Sequence, residues 1–238
     1  MAIIAKLRFD KSGYYFIGLA FIIFAGFWNS YFSRFFSGNN DYSFYFHFHA
    51  AMALLWLSML IIQPILIRRK DLPLHKTLGK LSYVLMPVLL ISVLLVLNSV
   101  LKAAPVEFQT FSGVLVVVRD LLLLGVSFGI AVWYRRNMPI HARAMVITGI
   151  VFIEPALARL MGGVIFKGHG SVGFIVTASL IVALLITLII CERKQKSGRW
   201  LFPSLLAVYL VAYTLIFSEA KLGFLDGLIR WYARLPLT

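Results

Sequence analysis

Long apolar runs alternate with short basic segments along the whole chain. About 20 mostly apolar residues are enough to cross the hydrocarbon core of a bilayer. Seven runs reach this length, near residues 14–36, 43–67, 80–101, 111–134, 142–165, 171–191 and 201–218. The pattern predicts an all-α fold: a polytopic membrane helix bundle of about seven transmembrane helices, forming a single transmembrane domain over residues 1–238.

The C-terminal segment 221–235 has a different pattern. Apolar residues such as Leu225 and Ile229 share one helical face, and Asp226 and Arg230 share the other. Such a pattern is typical of a helix that lies in the membrane interface. We therefore predict an interfacial helix here, with a frayed extension of the seventh span as the alternative.

Composition identifies the solvent as lipid. The 238 residues are 61% hydrophobic with a mean hydropathy of +0.91, whereas soluble domains are about half apolar. The net charge is +14, but the cations lie mostly between apolar runs, which argues against a nucleic-acid partner. The single cysteine, Cys191, allows neither an intramolecular disulfide nor a cysteine-based metal cluster.

The distribution of Lys and Arg predicts the orientation, because cytoplasmic loops carry the excess of positive charge. Fifteen of the 23 Lys and Arg residues lie in segments 6–11, 68–80, 135–143 and 193–199, which all fall on one side of the predicted bundle. We expect that side, and the N-terminus, to be cytoplasmic. The C-terminal helix is then outside.

Two cytoplasmic segments resemble each other. In RRKDLPLHKTLGKL and YRRNMPIHARAMVI, Pro73 and His75 recur 66 residues later as Pro139 and His141. Proline favours the first turn of a helix, so both histidines should lie at one depth. They could ligate a haem b iron or share a divalent metal, or bind an anionic head group. The simplest alternative is that each caps a helix or reaches toward the interface.

Four charged residues lie well inside predicted spans, away from their ends: Arg119 and Asp120 in the fourth, Glu154 and Arg159 in the fifth. Charges at such depth are rare, usually paired, and frequently functional. We predict the cross-helix pairs Arg119–Glu154 and Asp120–Arg159. Pro155 should kink the fifth span beside Glu154. A purely structural ion-pair network is the alternative.

Two histidines could extend this cluster. His49 lies deeper in the second span than His47, so we expect it to point into the bundle. His169, in an outer loop, could fold over the charged residues. His49, Asp120, Glu154 and His169 could then hold a zinc ion with an open position.

The stretch FHFHAAMALLWLSMLIIQPILIRRKDLPLHKTLGKLS resembles a bacterial family of predicted multi-pass membrane proteins that carry a domain of unknown function. The matching positions are His49, Gln63, His75, Lys76, Leu78, Gly79, His141, Arg143, Met145 and Arg159. Lys76 stands where an arginine is more usual. The resemblance implies a bacterial inner-membrane protein and a shared site, without an activity. The paired histidines are also similar in layout to two-haem b-type transmembrane cytochromes.

Three functional hypotheses follow. The first is a redox protein with haem b on His75 and His141, an outer site at His49, and Arg119 and Arg159 beside the cofactor; its partner would be a quinone or membrane electron donor. The second is a zinc-dependent enzyme acting on a lipid. In an enzyme, Glu154 and Asp120 would be the catalytic groups. The third is a proton-coupled small-molecule transporter in which Glu154, beside Pro155, is the coupling group.

Overall fold

The structure, a computed structural model, describes residues 9–39, 41–218 and 223–238, and within these ranges it contains helices and no strand. The helices are α1 Ser12–Phe36, α2 Phe44–Arg68, α3 Leu72–Ala103, α4 Phe111–Trp133, α5 Met138–Ile165, α6 Gly170–Glu192, α7 Leu201–Phe217 and α8 Gly223–Ala233. The N-terminal cations Lys6 and Arg8 and the predicted start of the last helix at 221–222 lie outside the described residues.

Helices α1 to α6 are long and apolar enough to cross a membrane, and α7 is a shorter apolar helix of 17 residues. At 1.5 Å per residue, α7 extends about 26 Å, slightly less than the hydrocarbon core. Many outward apolar side chains are exposed, among them Phe21, Val84 and Val211. A multi-pass helical bundle in lipid, as the sequence predicts, is therefore confirmed.

The prolines begin their helices as predicted. Pro73 and Pro139 stand in the first turns of α3 and α5, and the Asp71 carboxylate accepts a hydrogen bond from the backbone N–H of Leu74 at 3.1 Å. Each helix consequently starts several residues before the apolar run that predicted it. The loops 69–71, 134–137 and 193–200 lie at one end of the bundle, here called the basic end.

Helix α5 lies at the centre of the bundle and is the most buried of the spans. One core joins it to α1, α2, α3 and α4 around Trp56 and Met86, and the other joins it to α4, α6 and α7 around Phe202 and Leu185. A side chain on α5 can therefore face either core. This position brings the charged residues of α4 and α5 together away from lipid.

Helix α8 packs against α3 and α4 at the end opposite the basic end. The buried amide of Asn98 donates to the Tyr232 carbonyl at 2.8 Å, and the Asp226 carboxylate accepts from the backbone N–H of Phe111 at 2.7 Å. The predicted helix is thus present. Its location in the membrane interface remains a prediction.

Candidate functional site

The α5 helix is interrupted near the middle of its length. Its first part ends at Ile150, and the helix resumes at Ile153 after a two-residue turn. The predicted proline effect explains the break, because Pro155 has no N–H to donate to the carbonyl of Val151 four residues earlier. Glu154 consequently lies in the first turn of the second part of the helix, with only 1% of its surface exposed.

Arg119 of α4 faces this break. Its Nη2 donates to Glu154 Oε2 at 2.6 Å and to Asp120 Oδ1 at 2.7 Å, and its Nε donates to the same Asp120 oxygen at 3.0 Å. Arg119 is 4% exposed and lies about 12 Å along a helix of about 33 Å. The predicted Arg119–Glu154 pair is confirmed, and it joins α4 to α5 inside the bundle.

Two tyrosines of α7 complete the surroundings of Arg119. The guanidinium carbon lies 4.3 Å from the ring centre of Tyr209 and 5.7 Å from that of Tyr213. Both rings are buried, so the cation–π attraction acts without competition from water. These residues were not predicted from the sequence, although their spacing of four in an apolar helix places both hydroxyl groups on one face.

Four buried polar atoms of this group lack a hydrogen-bond partner among the described residues: Arg119 Nη1, Glu154 Oε1 and the hydroxyl oxygens of Tyr209 and Tyr213. The Tyr213 hydroxyl and the Glu154 carboxylate nevertheless interact through their side chains, so these two atoms satisfy each other in part. Buried polar groups are nearly always satisfied in folded proteins, by protein, by water or by a ligand. We call the group formed by Arg119, Asp120, Glu154, Tyr209 and Tyr213 the charge cluster. Its unpaired atoms can therefore bind a polar ligand or water.

The charge cluster holds two carboxylates and one guanidinium, so it carries one negative charge in excess when all three are ionised. Burying an uncompensated charge costs on the order of several kcal/mol even after relaxation. A single proton shared by Asp120 and Glu154 would remove that excess. Uptake of one proton by these three groups is therefore favoured.

The predicted Asp120–Arg159 pair is wrong. Arg119 takes the Asp120 oxygen, because the two residues are adjacent and the guanidinium folds back onto its neighbour. Arg159 instead lies over the ring of Phe27, with its Cζ 4.4 Å from the ring centre, and donates to the carbonyl of Pro155 at 2.9 Å.

The predicted outer residues form a second, separate group. His49 Nδ1 lies 3.0 Å from Ser92 Oγ, and the Ser92 hydroxyl donates to the Leu89 carbonyl at 2.6 Å. Ser92 must therefore accept, which leaves the proton on His49 Nδ1. The charge of Arg159 acts on His49, so the two side chains lie in the same region of the bundle.

His169 lies in the turn before α6 and is exposed. None of the hydrogen bonds or ring contacts of the described residues joins it to the charge cluster. The prediction that it folds over those charges has no support in the structure.

The two basic-end histidines are close enough for their charges to interact. His141 Nδ1 lies 2.8 Å from the Ala131 carbonyl, which stands in the last turn of α4 and has no helical partner there. With its amide nitrogen toward His75, Gln63 donates to His75 Nδ1 and to the His75 carbonyl, and its oxygen accepts from the Gly79 N–H at 3.2 Å. Each histidine thus ties two helices together at the basic end.

These contacts fit a bis-histidine haem site only in part. A histidine that binds iron through Nε2 carries its proton on Nδ1. His141 meets this condition, because its Nδ1 faces a carbonyl, whereas the Nδ1 of His75 faces the Gln63 donor. For a haem b held by His75 and His141, only His141 therefore has the hydrogen bonding that an iron ligand requires.

A metal site receives no support either. Within residues 9–39, 41–218 and 223–238, no three His, Cys, Asp or Glu side chains form a group that could hold a metal ion. The predicted zinc ligands include Asp120 and Glu154, but Arg119 lies between these two carboxylates. The guanidinium therefore occupies the position that a metal ion would need.

A second buried ion pair was not predicted from the sequence. The sequence pattern places Arg143 among the cytoplasmic loop cations, but it lies inside α5, 3% exposed, and its Nε donates to Glu192 at the end of α6. Glu192 precedes a run of cations, so the sequence predicts an exposed residue at a helix end. Its partner lies 49 residues away, and no local spacing signals the contact.

No family model, curated protein or solved structure matches the chain.

Proposed function

We propose that this chain is a proton-coupled transporter of a small molecule in a bacterial inner membrane, and that Glu154 carries the coupled proton. One observation carries the proposal: a buried carboxylate lies at a helix break in the middle of the bundle, paired with an arginine of another helix. Secondary transporters typically place their binding sites at such interrupted helices near the bilayer midplane.

The physical argument concerns the ion pair. When Glu154 is ionised, it holds Arg119 and so joins α4 to α5. When Glu154 takes a proton, that charge-assisted hydrogen bond loses its ionic component, which is the stronger part of it. Proton binding then weakens the contact between α4 and α5 at the point where α5 is already interrupted. The helices on either side of this contact can then move relative to each other.

Transport in liposomes tests this proposal. Purified protein would be reconstituted around a pH-sensitive dye, a pH gradient imposed, and a panel of small carboxylates, amines and neutral amides offered. We expect at least one compound to accumulate with the gradient and to acidify the lumen. Glu154→Gln should abolish gradient-driven accumulation while retaining exchange of that compound.

The control is Glu107→Gln, which removes an exposed carboxylate in the short helical turn Val106–Phe108 and should behave as the parent protein. Two results would contradict the proposal: no compound is transported, or Glu154→Gln remains fully proton-coupled.

A redox protein is the second candidate. The observation in its favour is the proximity of His75 and His141 at the basic end, where a haem b could exchange electrons with a quinone or another membrane electron donor. His141 would supply Nε2 as a ligand, and His75 would first have to exchange its contact with Gln63. Haem would supply one-electron chemistry there.

The visible spectrum separates the two candidates. A Soret band in purified protein that disappears in the double variant His75→Ala, His141→Ala would favour the redox function. Protein that is free of haem and still transports a compound with protons favours the transporter.

A further inference from the structure

The unpaired atoms of the charge cluster differ in hydrogen-bonding type. Arg119 Nη1 is a donor and the Tyr209 hydroxyl can donate, whereas Glu154 Oε1 is an acceptor. The Tyr213 hydroxyl interacts with the Glu154 carboxylate and becomes available as a donor when Glu154 takes a proton. All four atoms belong to side chains that are 5% exposed or less. The open positions therefore favour a ligand that accepts several hydrogen bonds.

From this donor set we infer that the charge cluster binds the carboxylate group of a small monoanionic substrate; the inference rests on the proposed transport function. A carboxylate accepts hydrogen bonds on both oxygens, and arginine is well suited to hold it. Arg119 Nη1 would donate to one oxygen, and the tyrosine hydroxyl groups would donate to the other.

Charge explains why the anion and the proton would travel together. The ionised charge cluster already has one negative charge in excess, so an entering carboxylate would leave two. A proton taken by Glu154 restores the previous balance and frees the Nη2 side of Arg119. One proton from the aqueous phase therefore accompanies each anion, bound as the Glu154 carboxylic acid.

A cationic ligand fits the same atoms less well. It would lie against the positive edge of Arg119, and the faces of Tyr209 and Tyr213, the usual binding surface for a cation, already contact the guanidinium. Its acceptors would be Glu154 Oε1 and the two tyrosine hydroxyl oxygens, all of which lie beside the Arg119 charge. A cation is thus an alternative outcome for the experiment.

Calorimetry on the full chain in nanodiscs tests the inference. The probes are propionate, lactate and benzoate, with propionamide as a neutral analogue and propylammonium as a cation. Titrations in two buffers of different ionisation enthalpy count the protons taken up on binding. We expect a carboxylate to bind with uptake of about one proton, and propionamide to bind at least about tenfold more weakly.

Variants assign the contacts. Tyr209→Phe and Tyr213→Phe remove only a hydroxyl group and should each weaken carboxylate binding roughly threefold to tenfold. Arg119→Lys should weaken it by about tenfold or more. Glu154→Gln should bind the carboxylate without proton uptake. Tyr83→Phe, at an exposed position of α3, is the matched control and should bind as the parent protein.

The results separate failure of the carboxylate inference from failure of the proposed transport function. Binding of propylammonium with proton release, without binding of a carboxylate, would overturn the substrate class and leave proton-coupled transport standing. No binding of any carboxylate would also overturn the inference, since water alone would then satisfy the unpaired atoms. Unchanged affinity in both tyrosine variants and in Arg119→Lys would show that the carboxylate binds elsewhere.

Discussion

Arg143, near the start of α5, and Glu192, at the end of α6, form an ion pair whose side chains are 3% and 2% exposed. Arg143 also donates to the Pro139 carbonyl at 2.6 Å and lies 4.9 Å from the ring centre of Phe9. The pair therefore holds the basic end of α5 against α6. The Arg119–Glu154 pair holds the other part of the same helix against α4, beyond the break.

Glu192→Gln should destabilise the protein by about 3–5 kcal/mol, because it leaves the Arg143 charge buried without a counter-charge. The double variant Arg143→Met, Glu192→Met should lose less than the single variant, since it removes both charges. Thermal unfolding in detergent micelles measures the effect. Arg193→Gln, at the exposed neighbouring position, is the control; if Glu192→Gln unfolds at the same temperature as this control, the pair contributes nothing to stability.

The contact between α5 and α6 depends on a glycine. A Cβ atom on Gly173 would lie 2.5 Å from both the Cα and the N of Gly162 in the last turn of α5. Backbone cannot move aside as a side chain can, so Gly173→Ala should cost about 1–3 kcal/mol. Gly129→Ala is the control, because nothing lies within 4 Å of its Cβ position. Equal unfolding temperatures for the two variants would show that the helices are not in this close contact.

Removing the amide of Asn98 should release α8. Asn98 is fully buried and donates to the carbonyls of Tyr232 and Leu235 at 2.8 and 3.3 Å. In Asn98→Ala these bonds are lost, and trypsin should cleave after Arg230 roughly tenfold faster than in the parent protein. Ser99→Ala serves as the control, and cleavage is followed by mass spectrometry. Identical cleavage rates would mean that Asn98 does not hold the helix.

The helical architecture was predictable because lipid imposes a simple rule on the sequence. Each span needs about 20 apolar residues, and the seven runs stand out for that reason. Helix starts were visible as well, since Pro73 and Pro139 can occupy a first turn. The pairing of Arg119 with Glu154 followed from the cost of leaving either charge alone in the bundle.

The side-chain contacts depend on how each helix is rotated about its axis and on where each side chain points. The apolar runs contain no information about either. The Asp120 partner was predicted wrongly because Arg119 can reach either its neighbour or another helix. Arg143 and Glu192 were missed because each stands close to a loop rich in cations, where a charge ordinarily faces water. Tyr209 and Tyr213 were missed because an aromatic residue in a span is ordinarily part of the packing.

Infrared difference spectroscopy tests the central claim most directly, because it detects the carbonyl stretch of a protonated carboxyl group. Protein in nanodiscs would be shifted between neutral and acidic pH, and the spectra of Glu154→Gln and Asp120→Asn compared with that of the parent chain. On acidification the parent chain should show a carboxyl band that disappears in Glu154→Gln and that forms only at lower pH in Asp120→Asn, because Arg119 alone balances Glu154 once Asp120 is neutralised. A band that is absent from the parent protein, or unchanged in Glu154→Gln, would contradict the claim that Glu154 carries the proton.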